Sequence, residues 1–434
     1  MSRRVVITGI GVISPLGITA AEVATALTEE RSGIQPLQGV PPTYLPLKVG
    51  GEARTFTEEI DQFGPLEKDL KRSVKKGLKV MCRDIAMGVA SAQWALHDAG
   101  LNAQTIEAER TGVVFGCDYI MTRPEEFISG VQHCLDAEHH FDFSKWAESG
   151  LKQVDPLWLL KYLPNMPASH IAIYNDLRGP SNSITVREAS SNLSIAEGYC
   201  TIQRGAADTL VAGATGTRVH PTRTVQMALQ EQLADSEFPP EKSSRPFDRD
   251  RRGLVLGEGA GAIILEELEH AQKRGAKIYG EIIGYGSSTV MNRQGVAQLG
   301  EALGNAMRLS LASAKMDPKD IGHIHAHGLG TRRCDAEEAQ AIRRIFGDAA
   351  DRVPVTAAKS YFGNLGAGSG TVELIASLLA MQSGQLFPLL NYEHADPECP
   401  IFAARRGMPA GKSVLSTNTT PQGQAAAVVA RLFE

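Results

Sequence analysis

The chain has 434 residues, of which 43% are hydrophobic and 21% charged, with a formal net charge of −5. These values describe a globular chain with a large core, and the mild acidity gives no reason to expect nucleic-acid binding. The length prior allows about three domains, and no apolar stretch reaches the ~20 residues needed to span a bilayer.

From the N-terminus, Arg3 and Arg4 before an apolar run imitate a signal peptide, but Gly9, Gly11, Pro15 and Gly17 interrupt it. A β-strand entering a glycine turn accounts for the run, so no membrane contact and a cytoplasmic location are expected. Cys82, Cys117, Cys134, Cys200, Cys334 and Cys399 are scattered without a C-x-x-C pair. This favours reduced thiols over a disulfide or zinc framework.

Apolar periodicity predicts strands near Val5–Ile7, Thr111–Phe115, Ser183–Val186, Thr209–Ala212 and Ala262–Leu265, with helices over Ala20–Leu27, Arg83–Asp98 and Ala189–Arg204. Strands follow near Ile278–Gly284, Ile321–Ala326, Val353–Thr356 and Ala425–Leu432, with helices over Glu301–Ala314, Asp335–Phe346 and Gly370–Gln382. The expected division is an N-terminal half, 1–266, and a C-terminal half, 267–434. Each half places a chemically loaded turn after a strand, which suggests an internal duplication. The segments Gln38–Lys79 and Asp118–Pro164 have weaker periodicity and read as insertions that cap a site or build a dimer interface.

One turn stands out. Ser183–Val186 reads as a strand, Ala189, Leu193, Ala196 and Cys200 recur at helical spacing, and Glu188 lies between them. A helix N-terminus there presents unpaired N–H groups and positive dipole, which suits a nucleophile or an anion.

Five segments in order carry a resemblance: VVITGIGVISPLG (Val5–Gly17), the strand–turn–helix–strand unit Arg178–Ala214, PFDRDRRGLVLGEGAGAIILEELEHAQKRGAKIYGEI (Pro246–Ile282), AHGLGT (Ala326–Thr331) and AAKSYFGNLGAGSGTVE (Ala357–Glu373). Together they resemble the β-ketoacyl-acyl-carrier-protein synthases. The resemblance implies an α/β fold of thiolase-like type, with duplicated βαβαβαββ halves in a five-layered α-β-α-β-α arrangement.

The resemblance also implies a site, and this chain departs from it. Glu188 stands where the family has its catalytic cysteine. A thiolate is both nucleophile and leaving group, and a carboxylate is a poor substitute, so cysteine-dependent condensation is expected to be absent. Glu188 is left as a general base, or as an anion capping a helix and filling a dead pocket. His327 matches the first catalytic histidine, and Asn364 occupies the second histidine position. The two would donate a pair of hydrogen bonds to a thioester oxygen, although Asn364 also suits a glycine-rich turn. Lys359 resembles a supporting lysine paired with Glu338, and it would also face Glu188; Asp335 lies at the preceding acidic position. In the C-terminal loop, Thr417–Gly423, Thr419 replaces a gating phenylalanine. His323, His325 and His327 alternate as a strand face that leaves a metal open, whereas the resemblance uses only the last and implies no metal and no cofactor.

Lys71, Arg72, Lys75, Lys76 and Lys79 form a basic stretch at the family's carrier-docking surface, or else a solvated helix face. The implied partners are acyl carrier protein or CoA thioesters, and a second subunit in a homodimer or in a heterodimer with an active ketosynthase. Three functions follow: a non-condensing partner subunit of chain-length-factor type in fatty acid or polyketide biosynthesis, an acyl-thioester enzyme using Glu188 as base, or a structural or regulatory carrier binder.

Overall fold

The opening apolar run, Val5–Ile13, forms strand β1 with all nine residues buried, the pattern of a strand covered on both faces. Its glycines have a packing reason: a Cβ on Gly11 would lie 2.0 Å from the Ser91 carbonyl oxygen, so only glycine lets the helix Arg83–Asp98 lie this close. The computed structural model describes residues 3–40, 48–235 and 237–433.

The remaining strands are β2 (Gln35–Pro36), β3 (Val49–Gly51), β4 (Thr111–Cys117), β5 (Ser181–Ile184), β6 (Thr209–Thr217), β7 (Leu256–Glu267), β8 (Gly280–Thr289), β9 (His323–His325), β10 (Val355–Thr356), β11 (Ser413–Thr419) and β12 (Gln424–Arg431). The helices are α1 (Ala20–Thr28), α2 (Lys68–Gly77), α3 (Arg83–Asp98), α4 (Glu125–Gln132), α5 (Met166–Asn175), α6 (Ser190–Gln203), α7 (Pro221–Gln230), α8 (Leu268–Lys273), α9 (Leu299–Ala314), α10 (Arg332–Phe346), α11 (Lys359–Phe362) and α12 (Ser369–Ser383).

The main sheet runs β10-β9-β11-β12-β8-β1-β7-β6-β4-β5. Its two ends repeat one pattern. In β5-β4-β6-β7-β1 the first two pairings are parallel and the next two antiparallel, and β10-β9-β11-β12-β8 does the same. Three residue pairs, beginning with Val5 and Ile282, join the two blocks through β1 and β8. Helices α3 and α5 pack outside the first block, α9 and α10 serve the second, and α6 and α12 lie together between the blocks. This is the duplicated five-layered thiolase-like arrangement that the motifs imply. Buried Val, Leu and Ile side chains of the central layer contribute about 1.5–3 kcal/mol each.

The sheet corrects two local expectations. The strand before Glu188 ends at Ile184, because the Val186 N–H turns to the Ser190 hydroxyl at 2.8 Å and Arg187 takes φ 47°. Strand β11 was not expected, since SVLSTNT lacks an apolar alternation, yet every residue in it is buried. Thr417 and Thr419 therefore belong to a strand, and the loop is confined to the turn that follows.

The basic stretch forms α2, with Arg72, Lys75 and Lys76 exposed. The Asp118–Pro164 segment holds α4 and short single turns bearing exposed apolar side chains. Part of the Gln38–Lys79 segment, residues 41–47, lies outside the described residues. No helix among the described residues is long and apolar enough to cross a membrane.

Candidate active site

The tight turn after β5 drives Glu188 inward, so that its side chain is 2% exposed at the entrance to α6. Its partners are side chains and not the helix N–H groups that the turn suggested. Oε1 accepts from Arg218 Nη2 at 2.6 Å and from Asn364 Nδ2 at 3.0 Å. Arg187 Nε lies 3.4 Å from Oε2. The charges continue in alternation: Arg187 approaches Glu231 at 3.5 Å, Arg218 approaches Asp118 at 3.5 Å, and Asp118 approaches Arg223 at 3.9 Å. Burial alone would raise the Glu188 carboxyl, but Arg218 and then Arg187 outweigh it and hold it well below the usual carboxylate range. Glu188 is an ionised, cation-clamped group.

His327 follows the short strand β9 and is buried. Its backbone N–H and that of Gly328 donate to the two oxygens of Glu338 at 2.7 and 2.8 Å, and Thr417 donates to the same carboxylate at 3.1 Å. Burial pushes Glu338 up to about 7, against those two backbone hydrogen bonds. Glu338 is therefore occupied with shaping the histidine loop, and Lys359 pairs elsewhere. The Lys359 ammonium donates to Glu373, which also accepts from Asn418 Nδ2 at 2.8 Å. This corrects the expected Lys359–Glu338 pair, and Arg218 and Arg187, not Lys359, are the cations in contact with Glu188. Lys359 Nζ sits 3.4 Å from His327 Nδ1. Burial, reinforced by Lys359, holds the imidazole well below its ordinary value, so it is neutral. Asp335 accepts from the Gly330 and Phe247 N–H groups at 3.0 and 2.7 Å, and so fixes the far side of the same loop.

His323 and His325 are core residues. His323 bonds the Ala410 carbonyl and the Ser377 hydroxyl, and His325 bonds Ser377 and the Ala358 N–H. Among the described residues, the grouping whose ligand atoms come together is Asp248, Asp250 and His394, outside this site. There Asp248 already accepts three backbone N–H groups at 2.7–2.8 Å.

Glu188, His327, Asn364 and Thr419 line one cavity of about 380 Å³, with Met227, Leu254, Leu299 and Leu329 as its apolar wall and Arg332 and Arg333 among its lining. Thr420 and Pro421 also line it. Asn364 joins the clamp: one hydrogen of its Nδ2 serves Glu188, while its Oδ1 accepts from the Gly366 N–H at 3.1 Å and the Ser369 hydroxyl at 3.3 Å. The basic residues of α2 do not line this cavity, although Lys79 lines a separate one of about 690 Å³.

Sequence reasoning missed Arg187, Arg218, Asp118, Glu231 and Glu373. The Arg218 signal was present, because a lone arginine directly after the nine buried residues of β6 has to find a buried partner. Glu373 closes the glycine-rich motif and was not assigned a role.

Family models for the N-terminal and C-terminal domains of β-ketoacyl synthases match residues 2–271 and 279–393. A 3-oxoacyl-[acyl-carrier-protein] synthase 2 of Coxiella burnetii is 33% identical over 92% of this chain and 91% of its own length. A putative polyketide beta-ketoacyl synthase 1 of Streptomyces halstedii is 30% identical over 99% of this chain and 98% of its own. Among solved structures, the ishigamide ketosynthase/chain length factor matches with a TM-score of 0.85 and 26% identity, covering 100% of both chains.

Proposed function

Because the chain belongs to the β-ketoacyl synthase family, we propose that it is a non-condensing partner subunit of chain-length-factor type, paired with an active ketosynthase in fatty acid or polyketide biosynthesis. The observation that carries this reading is Glu188, an ionised carboxylate clamped by Arg218 and Asn364 at the nucleophile position. Attack on a thioester from such a group would first break a buried ion pair, and a mixed anhydride would be the product. An anionic malonyl group would also have to approach a fixed negative charge.

Two surface features support a second subunit. Strand β5 ends the sheet with Ser181 and Asn182 exposed, which leaves an open edge for pairing. The 118–164 segment and α7 expose large apolar groups, among them Phe143 at 75% and Leu229 at 83%. The exposed cations of α2, together with Lys71 and Lys79, are the proposed contact for an acidic acyl carrier protein. Use of Glu188 as a general base is the weaker reading, since a base works best poised near the working pH and this carboxylate lies far below it.

The test is co-expression with an active ketosynthase from the same genome, size-exclusion chromatography of the mixture, and intact-mass and thioester-consumption assays on each subunit alone. The expected result is a heterodimer, with this chain unmodified and thioesters untouched by it. Turnover by the isolated chain, or an adduct on Glu188, would refute the reading.

A further inference from the structure

We infer that a second cavity, beneath helix α2 and separate from the one at Glu188, binds a neutral amphiphile: an apolar chain whose carboxamide or hydroxyl pairs with Gln93. The inference goes beyond the partner-subunit reading and does not rest on it.

This cavity holds about 420 Å³, within the range of small-molecule sites. Its apolar wall is built from Leu66 and Leu70 at the start of α2, Leu96 of α3, Leu101 and Ile106 of the loop after α3, and Tyr174 of α5. It shares no lining residue with the cavity that holds Glu188. Gln93 stands in the same wall, 4% exposed, three residues before Leu96 and so on one helix face with it.

The Gln93 amide has no partner in the protein. Among the described residues it makes no side-chain hydrogen bond, and its Nε2 is buried without one. A buried amide left this way is costly. The other buried polar side chains of α3 avoid that cost: Ser91 donates to the Gly88 carbonyl, and Asp84 accepts from the Thr217 N–H. With no bond to break, the terminal amide is free to turn about its last torsion, which is soft. It can therefore present either its nitrogen or its oxygen to the cavity. A carboxamide or hydroxyl, which both donates and accepts, answers either one.

Charge decides against an ionic head group. No lysine or arginine among the described residues lines the cavity, whereas the exposed Glu67 and Asp176 do. A carboxylate would find no counter-charge there. An ammonium seated at Gln93 would lose its water to leucines and a neutral amide, which is equally costly.

The roof is lightly held. Val74 is the buried residue of α2, and the last turn rests on Tyr174, since a Cβ on Gly77 would stand 1.7 Å from its hydroxyl. A ligand between α2 and α3 supplies the apolar contact that α2 lacks and slows its local opening.

The experiment is calorimetric titration of the full chain with octanamide, 1-octanol, octanoate and octylammonium, with hydrogen-exchange mass spectrometry to locate the site. The two neutral probes should bind at least about tenfold tighter than either ion, because an unpaired charge resists burial. They should slow exchange across residues 66–77 and 93–106. Gln93→Leu should weaken octanamide about fivefold, the worth of one neutral hydrogen bond. The same variant should not lower the melting temperature, because the amide has no protein partner to lose. Ions binding as tightly as octanamide, protection at the Glu188 cavity instead, or no octanamide binding at about millimolar concentration would each overturn the inference. So would an affinity unchanged by Gln93→Leu, or a melting temperature lowered by it.

Discussion

Replacing Arg218 with methionine isolates the electrostatics of the site. The side chain is 1% exposed and stands between Glu188 at 2.6 Å and Asp118 at 3.5 Å. Methionine fills much of the stem volume and removes the charge, leaving two buried carboxylates without their shared cation. Breaking such a pair by removing one partner costs about 3–5 kcal/mol. An unfolding entropy of about 2.1 cal/mol/K per residue, taken over 434 residues, gives about 0.9 kcal/mol/K, so the melting temperature should fall by roughly 3–6 °C. The pH dependence has a definite sign. In the native chain the depressed Glu188 carboxyl contributes stability that is complete above the unfolded value of about 4.3 and fades as pH falls below it. Without Arg218, burial drives the carboxyl upward, and a raised carboxyl loses stability as pH climbs from its unfolded to its folded value. The deficit relative to native protein should therefore widen between about pH 5 and 8. Thermal melts of the native chain, Arg218→Met, Glu188→Gln and the double variant across that range give the answer. A deficit under about 1 °C, a deficit independent of pH, or a double variant no more stable than Arg218→Met would refute the reasoning.

Glu188→Cys should acquire at most a slow acyl adduct in intact-mass assays and yield no elongated product, because Asn364, Thr419 and Pro421 remain at the cavity wall; efficient condensation would overturn the non-condensing reading. Gly366→Ala should lower the melting temperature, since Gly366 sits at φ 61° and its Cβ would collide with Asp118; left-handed strain of about 1–3 kcal/mol is the minimum expected, and an unchanged melt would count against the packing. Burial pushes Asp84 up to about 7, with nearby Asp118 and Glu258 adding to it against Arg223, so this group makes the native chain lose stability as pH rises from about 4 to 7. Asp84→Asn keeps an acceptor for the Thr217 N–H, 2.9 Å away, and should flatten that slope in pH-dependent melts; an unaltered slope would clear Asp84 of the effect. Lys75→Glu with Lys76→Glu should weaken carrier binding, by about 1–2 kcal/mol at low salt, without moving the melting temperature, and equal carrier affinity would remove α2 from the docking surface.

The strongest periodic elements were legible in the sequence: β1, β4, β6 and β7 as apolar runs, and α3, α6, α9, α10 and α12 as helices. Strand β11 was not, because Thr417 and Asn418 find their partners far away in the sequence. Thr417 meets Glu338 and Asn418 Nδ2 meets Glu373, so these two polar side chains are buried with partners, whereas Ser416 Oγ and Asn418 Oδ1 are buried without a hydrogen bond. The same remoteness hid the charge network. Motif order brought Glu188, His327, Asn364 and Thr419 to one cavity, but nothing local links Glu188 to Arg218, 30 residues on, or Asp118 to the Ala367 N–H, 249 residues on. Lys359 was misassigned for a related reason. The family resemblance offered Glu338 as its partner, whereas the folded loop commits that carboxylate to two backbone N–H groups and a threonine, leaving Glu373 on α12 to meet the ammonium.

The network is poorly explained as a source of stability. Glu231, Arg187, Glu188, Arg218, Asp118 and Arg223 form three opposite-charge couples, and apolar residues of similar volume often stabilise a core as well or better than buried ion pairs. What charges do and apolar groups cannot is fix orientation. Arg218 holds Glu188 Oε1 from behind, leaving Oε2 toward Arg187 without a hydrogen bond. Asn364 joins the same clamp, so one of its two amide hydrogens is committed to the carboxylate. His327, kept neutral by burial and by Lys359, cannot offset the negative charge. The floor therefore presents a fixed, cation-clamped carboxylate. Its volume would admit many small ligands, and the sign of the charge at its end decides among them.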